Sequence, residues 1–146
     1  MFDKFFNNQP KYLYDVKNTL SRSASALLDR GVQLRGGDNA CTDGTEVIYL
    51  PQAMRRRLAW NEIDFVRYLV LHEMAHIEHS EPKGNVLAEL PRHQCTACVI
   101  NCLEDLRIEA LEMRQMVGFN TIITNGRRMA CEMWRRKLSE YKEKGE

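Results

Sequence analysis

Tyr68-Leu69-Val70-Leu71-His72-Glu73-Met74-Ala75-His76 is the stretch on which the reading of this chain turns. Apolar residues bracket the polar ones, so the pattern predicts a largely buried helix near 62–80, ending before Glu81-Pro82-Lys83-Gly84. On such a helix His72 and His76 point about 40° apart and sit about 6 Å apart along the axis, so both imidazoles can reach one ion. Two histidines at this spacing suit tetrahedral Zn²⁺. Glu73, about 100° around the axis from His72, flanks the same position as a catalytic base. Zinc draws the pKa of a bound water toward about 7, and a carboxylate beside it can complete the activation for attack on a carbonyl. Two histidines and a glutamate inside an apolar helix would be costly without a ligand, which weighs against a chance match.

The rest of the chain arranges itself around this helix. Pro10 suits a first helical residue, and spaced apolar positions run from there to Leu28, before Gly31. Residues 32–50 are expected to form two or three short antiparallel strands: Val32 to Leu34, a turn at Gly36-Gly37-Asp38-Asn39, and Glu46-Val47-Ile48-Tyr49-Leu50, stopped by Pro51. A short helix is expected near 52–59. After the central helix, another should run from about Pro91 to Met116, stopped by Gly118, and a last one from about Asn125 to Lys142. The expected fold class is α+β, mainly helical, with one small antiparallel sheet ahead of the central helix and a single domain over residues 1–146.

Composition bounds the function. A net charge of +1 across 146 residues argues against a nucleic-acid partner or a membrane surface. The chain lacks the run of about 20 apolar residues that a spanning helix needs. Its first residues, Met1 to Asp15, lack the pattern of a secretory signal, so the expected compartment is the cytoplasm. Cys41, Cys95, Cys98, Cys102 and Cys131 are an odd set, read as reduced, mostly buried thiols rather than a disulfide framework. Cys95, Cys98 and Cys102, with His93 nearby, are expected to pack in the core rather than to bind metal. The basic runs Arg55-Arg56-Arg57, Arg127-Arg128 and Arg135-Arg136-Lys137 read as solvated faces, and Trp134 as a docking residue.

A catalytic zinc commonly takes a third protein ligand. The candidates are His79, His93, Glu104, Asp105 and Glu109. His79 shares the stripe of His72 but lies about 10 Å along the axis, and reads as a polar residue at the helix end. On the later helix Cys95, Val99, Cys102, Leu103, Leu106, Ala110 and Met113 cluster on one face at about 100° per residue. Asp105 and Glu109 fall on the edge of that face, and Glu104 points away. Asp105 is therefore the expected third ligand, with Asn101 and Glu109 as supports and Glu104 as the runner-up.

Three blocks carry a family resemblance. Cys41-Thr42-Asp43-Gly44 through Ile48-Tyr49-Leu50-Pro51, Leu71 to His76, and Asn101-Cys102-Leu103-Glu104-Asp105-Leu106-Arg107-Ile108-Glu109 occur in that order. In this the sequence resembles the metallopeptidase domain found beside von Willebrand A-type domains and in the T subunit of aerobic cobaltochelatase, including short phage-encoded versions. The resemblance implies a gluzincin-like zincin domain that hydrolyses a protein or peptide substrate, with Asp105 at the position of the family's metal ligand. It implies that Val47, Ile48 and Tyr49 lie on an edge strand that binds substrate by β-addition. It also implies a possible AAA+ or von Willebrand A-type partner, in the cytoplasm of a cell or of a phage-infected host. The competing expectations are a zinc-stabilised protein-binding module and a nucleic-acid binder using the basic helices. The oxyanion donor is left open among His79, Tyr49, Tyr68 and a backbone N–H.

Overall fold

The computed structural model describes residues 11–51, 57–80 and 94–144. In chain order these form β1 (Lys11–Tyr12), α1 (Leu13–Leu27), β2 (Gln33–Gly37), β3 (Cys41–Thr42), β4 (Val47–Pro51), β5 (Arg57–Leu58), α2 (Trp60–His79), α3 (Gln94–Gln115) and α4 (Phe119–Lys144). The fold is α+β and mainly helical, with a small sheet before α2. Most of the expected helix near 52–59 lies outside the described residues, and Arg57–Leu58 is a strand paired antiparallel with β1. No helix among the described residues is long and apolar enough to cross a membrane.

The principal sheet is mixed, where an antiparallel one was expected. Its strand order is β2-β4-β3, with β4 parallel to β2 and antiparallel to β3. The chain reverses twice between β2 and β4, once after Gly37 and once after Thr42. An even number of reversals restores the original direction, and the hairpin lays β4 between the other two strands. That hairpin is closed by Thr42-Asp43-Gly44. Thr42 Oγ1 donates to the Val47 carbonyl at 2.8 Å. Asp43 Oδ1 accepts from the N–H groups of Thr45, Glu46 and Val47 at 2.9–3.0 Å. These backbone donors, Val47 foremost, hold the Asp43 carboxyl at about 2. Gly44 takes φ +82, the left-handed region that glycine enters without steric cost.

The position of β4 corrects one expectation. Val47, Ile48 and Tyr49 lie on the central strand: all three pair with β2, and Ile48 and Tyr49 also pair with β3. Their hydrogen-bonding edges are taken, so this strand cannot accept a substrate backbone over those residues. Val47 and Ile48 are buried.

Helix α2 is the hub. Ile63, Val66, Val70, Met74 and Ile77 recur at helical spacing and pack on Ala24 and Leu28 of α1, Val32 and Leu34 of β2, and Ile48 and Leu50 of β4. Its other face, Phe65, Tyr68 and Leu71, packs with Ile123 of α4, and Met113 of α3 joins that cluster from the rim. A helix apolar on two sides must be sandwiched, which fixes the histidine-bearing stripe between the sheet layer and α3. At its start the Glu62 carboxylate accepts the Ala59 N–H at 2.8 Å.

Helix α4 approaches α2 closely because Gly126 has no side chain. A Cβ there would lie 2.0 Å from Tyr68 Cγ and 2.4 Å from Tyr68 Cβ. Inside a helix Gly→Ala ordinarily stabilises by roughly 0.5–1 kcal/mol. Here overpacking reverses the sign, and Gly126→Ala is expected to destabilise by about 1–3 kcal/mol in denaturant unfolding. A gain in stability would show that α4 does not seat on Tyr68.

Helix α3 departs most from expectation. Val99, Leu103 and Leu106 are all more than half exposed, and Cys98 and Cys102 are exposed. The buried face instead carries Ile108, Glu109 and Glu112. The helix turns its acidic side inward because that side finds imidazoles on α2 and a guanidinium on α4. Four of the expected core thiols, Cys41, Cys98, Cys102 and Cys131, are thus surface thiols, and the Cys95 side chain lies outside the described residues. Trp134, expected to dock, is mostly exposed, with the Lys137 ammonium over its ring.

Candidate metal centre

His72 and His76 of α2 and Asp105 of α3 converge, with one ligand atom from each lying within 4.8 Å of the others. Asp105 Oδ1 lies 3.2 Å from His76 Nε2 and 3.7 Å from His72 Nε2. A tetrahedral ion with bonds of about 2.0–2.1 Å places neighbouring ligand atoms about 3.3 Å apart, so the spacing fits zinc. Asp105 Oδ1 is buried and has no hydrogen-bond partner among the described residues. A buried carboxylate oxygen facing two ring nitrogens, with no donor of its own, is an arrangement that a cation resolves.

The opposite side of each imidazole is held by a polar chain whose direction can be worked out. Glu109 Oε1 lies 2.7 Å from His72 Nδ1, and the Tyr68 hydroxyl donates to that same oxygen at 3.0 Å. Arg127 Nε donates to the other carboxylate oxygen. Burial alone would raise the Glu109 carboxyl, but His72, Arg127 and Tyr68 outweigh it and hold the carboxyl below its ordinary value. An ionised carboxylate only accepts, so His72 Nδ1 carries the proton.

At His76 the chain is longer. Nδ1 is 2.9 Å from Ser80 Oγ, and Ser80 Oγ donates to Glu104 Oε1 at 2.8 Å. Two hydrogen bonds from Arg107, with the one from Ser80, hold the Glu104 carboxyl at about 2 against the effect of burial. The single serine proton is therefore committed to Glu104, and Ser80 Oγ must accept from His76 Nδ1–H. Both rings are fixed in the tautomer that turns a bare Nε2 toward Asp105, the arrangement a metal-binding histidine needs.

Glu73 is buried, only 5 % exposed. Burial lowers the His72 pKa, yet it is raised on balance by the hydrogen bond to Glu109 and by the negative charges of Glu73, Asp105 and Glu109. Those three carboxylates make the local field favourable to a cation.

The structure brings His72, Glu73, His76 and Asp105 to one place, with Asn101 and Glu109 beside them. Asn101 Nδ2 donates to Asp105 Oδ2 at 3.3 Å, leaving Oδ1 toward the histidines. Glu104 does not point away as the helical angles suggested; it backs His76 through Ser80. Arg127 is not part of a solvated face, since it pairs with buried Glu109. Tyr68, one of the open oxyanion donors, spends its hydroxyl on Glu109. His79 lies apart from this centre, 3.5 Å from Glu112. His93 and the Arg55-Arg56 pair lie outside the described residues.

Ser80 and Arg107 escaped the sequence reading, although Ser80 stands four residues after His76 and Arg107 three after Glu104, both helix-neighbour spacings. Arg127 carries no such signal, since its role depends on how α4 seats against α2. Comparison of the chain with protein-family models, with curated proteins and with solved structures finds no match.

Proposed function

We propose that this chain is a zinc-dependent metallopeptidase, with His72, His76 and Asp105 holding the metal and Glu73 as the base. One observation carries the reading: two Nε2 lone pairs and an unpartnered carboxylate oxygen converge at tetrahedral spacing. When bound there, zinc supplies Lewis acidity toward a carbonyl and lowers the pKa of water. Glu73 takes a proton from the attacking water as its oxygen bonds to the scissile carbonyl carbon. It then delivers that proton to the amide nitrogen as the C–N bond breaks. Glu109 and Ser80 hold the two imidazoles in register, so the ligand set is organised before any ion arrives.

An extended peptide cannot add to β4. Among the described residues the outer edges of β2 and β3 are open, and β3 is the sheet edge beside α2. We place the substrate backbone along β3, antiparallel to it.

The exposed apolar side chains Val99, Leu103 and Leu106 on α3 favour a second reading, a zinc-stabilised binding module without turnover. Metal analysis of the purified protein, with cleavage of an unfolded protein substrate before and after chelation, tests the first reading. Zinc should be present and cleavage should stop on chelation and return with added zinc. A metal-free protein, or cleavage indifferent to chelation, would overturn it.

A further inference from the structure

Helices α2 and α3 bring together a second set of metal-competent groups. Glu78 and His79 of α2 and Glu112 of α3 each offer a ligand atom within 4.8 Å of the others. His79 Nε2 and Glu112 Oε1 stand 3.5 Å apart, in side chains only 10 % and 3 % exposed. Both atoms are buried, and neither has a hydrogen-bond partner among the described residues. Glu78 is exposed and closes the group on its solvent side.

His79 and Glu112 face each other at 3.5 Å without a hydrogen bond, and burying an imidazole nitrogen and a carboxylate oxygen with no hydrogen bond to either is costly. The group is separate from the first centre. The two groups share no residue; Glu112 is about 10 Å beyond Asp105 along α3, and His79 is about 4.5 Å beyond His76 along α2.

We propose that Glu78, His79 and Glu112 form a second divalent-cation site, selective for a zinc-class ion, that ties the end of α2 to α3. One imidazole with two carboxylates suits Zn²⁺, whereas Mg²⁺ and Ca²⁺ prefer sites built from oxygen alone. The 3.5 Å separation of His79 and Glu112 matches the spacing of adjacent ligands on a tetrahedral ion, about 3.3 Å. The ion replaces the missing hydrogen bonds of two buried atoms and cancels the repulsion between the glutamates. The site does not depend on the peptidase reading, because it shares no residue with the catalytic set.

Zinc titration of the metal-free full chain, followed by calorimetry, decides the matter. Wild type should take up two equivalents. His79→Ala and Glu112→Gln should each take up one, and His76→Ala should also take up one, through the second site. His76→Ala combined with His79→Ala should take up none, with helix content checked by circular dichroism in every case. Magnesium at the same concentrations should give no uptake at the second site. Wild-type uptake that is unchanged by both His79→Ala and Glu112→Gln would overturn the proposal, whatever the total number of equivalents. The first centre is tested separately, since its failure removes the equivalent that depends on His76 and leaves the one that depends on His79.

Discussion

Glu73→Gln should keep its zinc and its fold while losing peptide hydrolysis by at least about 10²-fold, and up to about 10⁴-fold. The glutamine matches the glutamate in size, so the buried pocket around residue 73 is not emptied. What changes is that an amide cannot take a proton from water or hand one to a leaving nitrogen. Residue 73 lies outside the ligand set, so metal retention should survive. The lost negative charge near His72 weakens zinc only through space, by an amount that falls short of removing a ligand. The measurement is kcat/KM on an unfolded protein substrate beside zinc content for the same samples. Hydrolysis at the wild-type rate would remove Glu73 from the mechanism. Loss of zinc in step with activity would make it structural. If wild-type protein itself shows no hydrolysis while both proteins bind the same partner equally, the binding-module reading stands instead.

The sequence was most informative where chemistry depends on local spacing. His72, Glu73 and His76 sit within five residues of one helix, so their joint placement follows from helical geometry alone. The same holds for the Thr42-Asp43-Gly44 turn, whose hydrogen bonds all close within six residues. Local pattern does not determine an outcome that depends on which neighbour arrives. Helix α3 has an apolar stripe through Val99, Leu103 and Leu106, and hydrophobicity alone would bury it. The structure buries Glu109 and Glu112 instead, because His72, Arg127 and His79 are there to meet them. Paired burial of polar groups reverses the ordinary pattern and leaves no mark in a hydrophobic profile. Asp105 sits among the acidic residues turned toward α2, not at the border of an apolar core. Strand order failed for a related reason. Residues 32–50 read as short strands, but a pattern of alternation does not say that β4 would lie between β2 and β3.

Asp105→Ala should cost zinc affinity by more than about 100-fold, and Glu104→Ala by about 10-fold, the lower end of the range for residues that orient a ligand. The two neighbours act at different depths. Asp105 Oδ1 faces both Nε2 atoms directly, at 3.2 and 3.7 Å, so alanine removes one of three donors. Glu104 acts two hydrogen bonds away, through Ser80 Oγ to His76 Nδ1. Without it the Ser80 proton is free to turn toward His76, and the ring loses the partner that fixes its tautomer. Ser80→Ala should then resemble Glu104→Ala, because both break the same chain, and the double variant should cost little more than either alone. Chelator competition on the four proteins measures these affinities on one scale. If Glu104→Ala proved costlier than Asp105→Ala, the carboxylate facing the histidines would be the wrong one, and α3 would have to rotate by about 100° in the metal-bound protein to bring Glu104 to the ion.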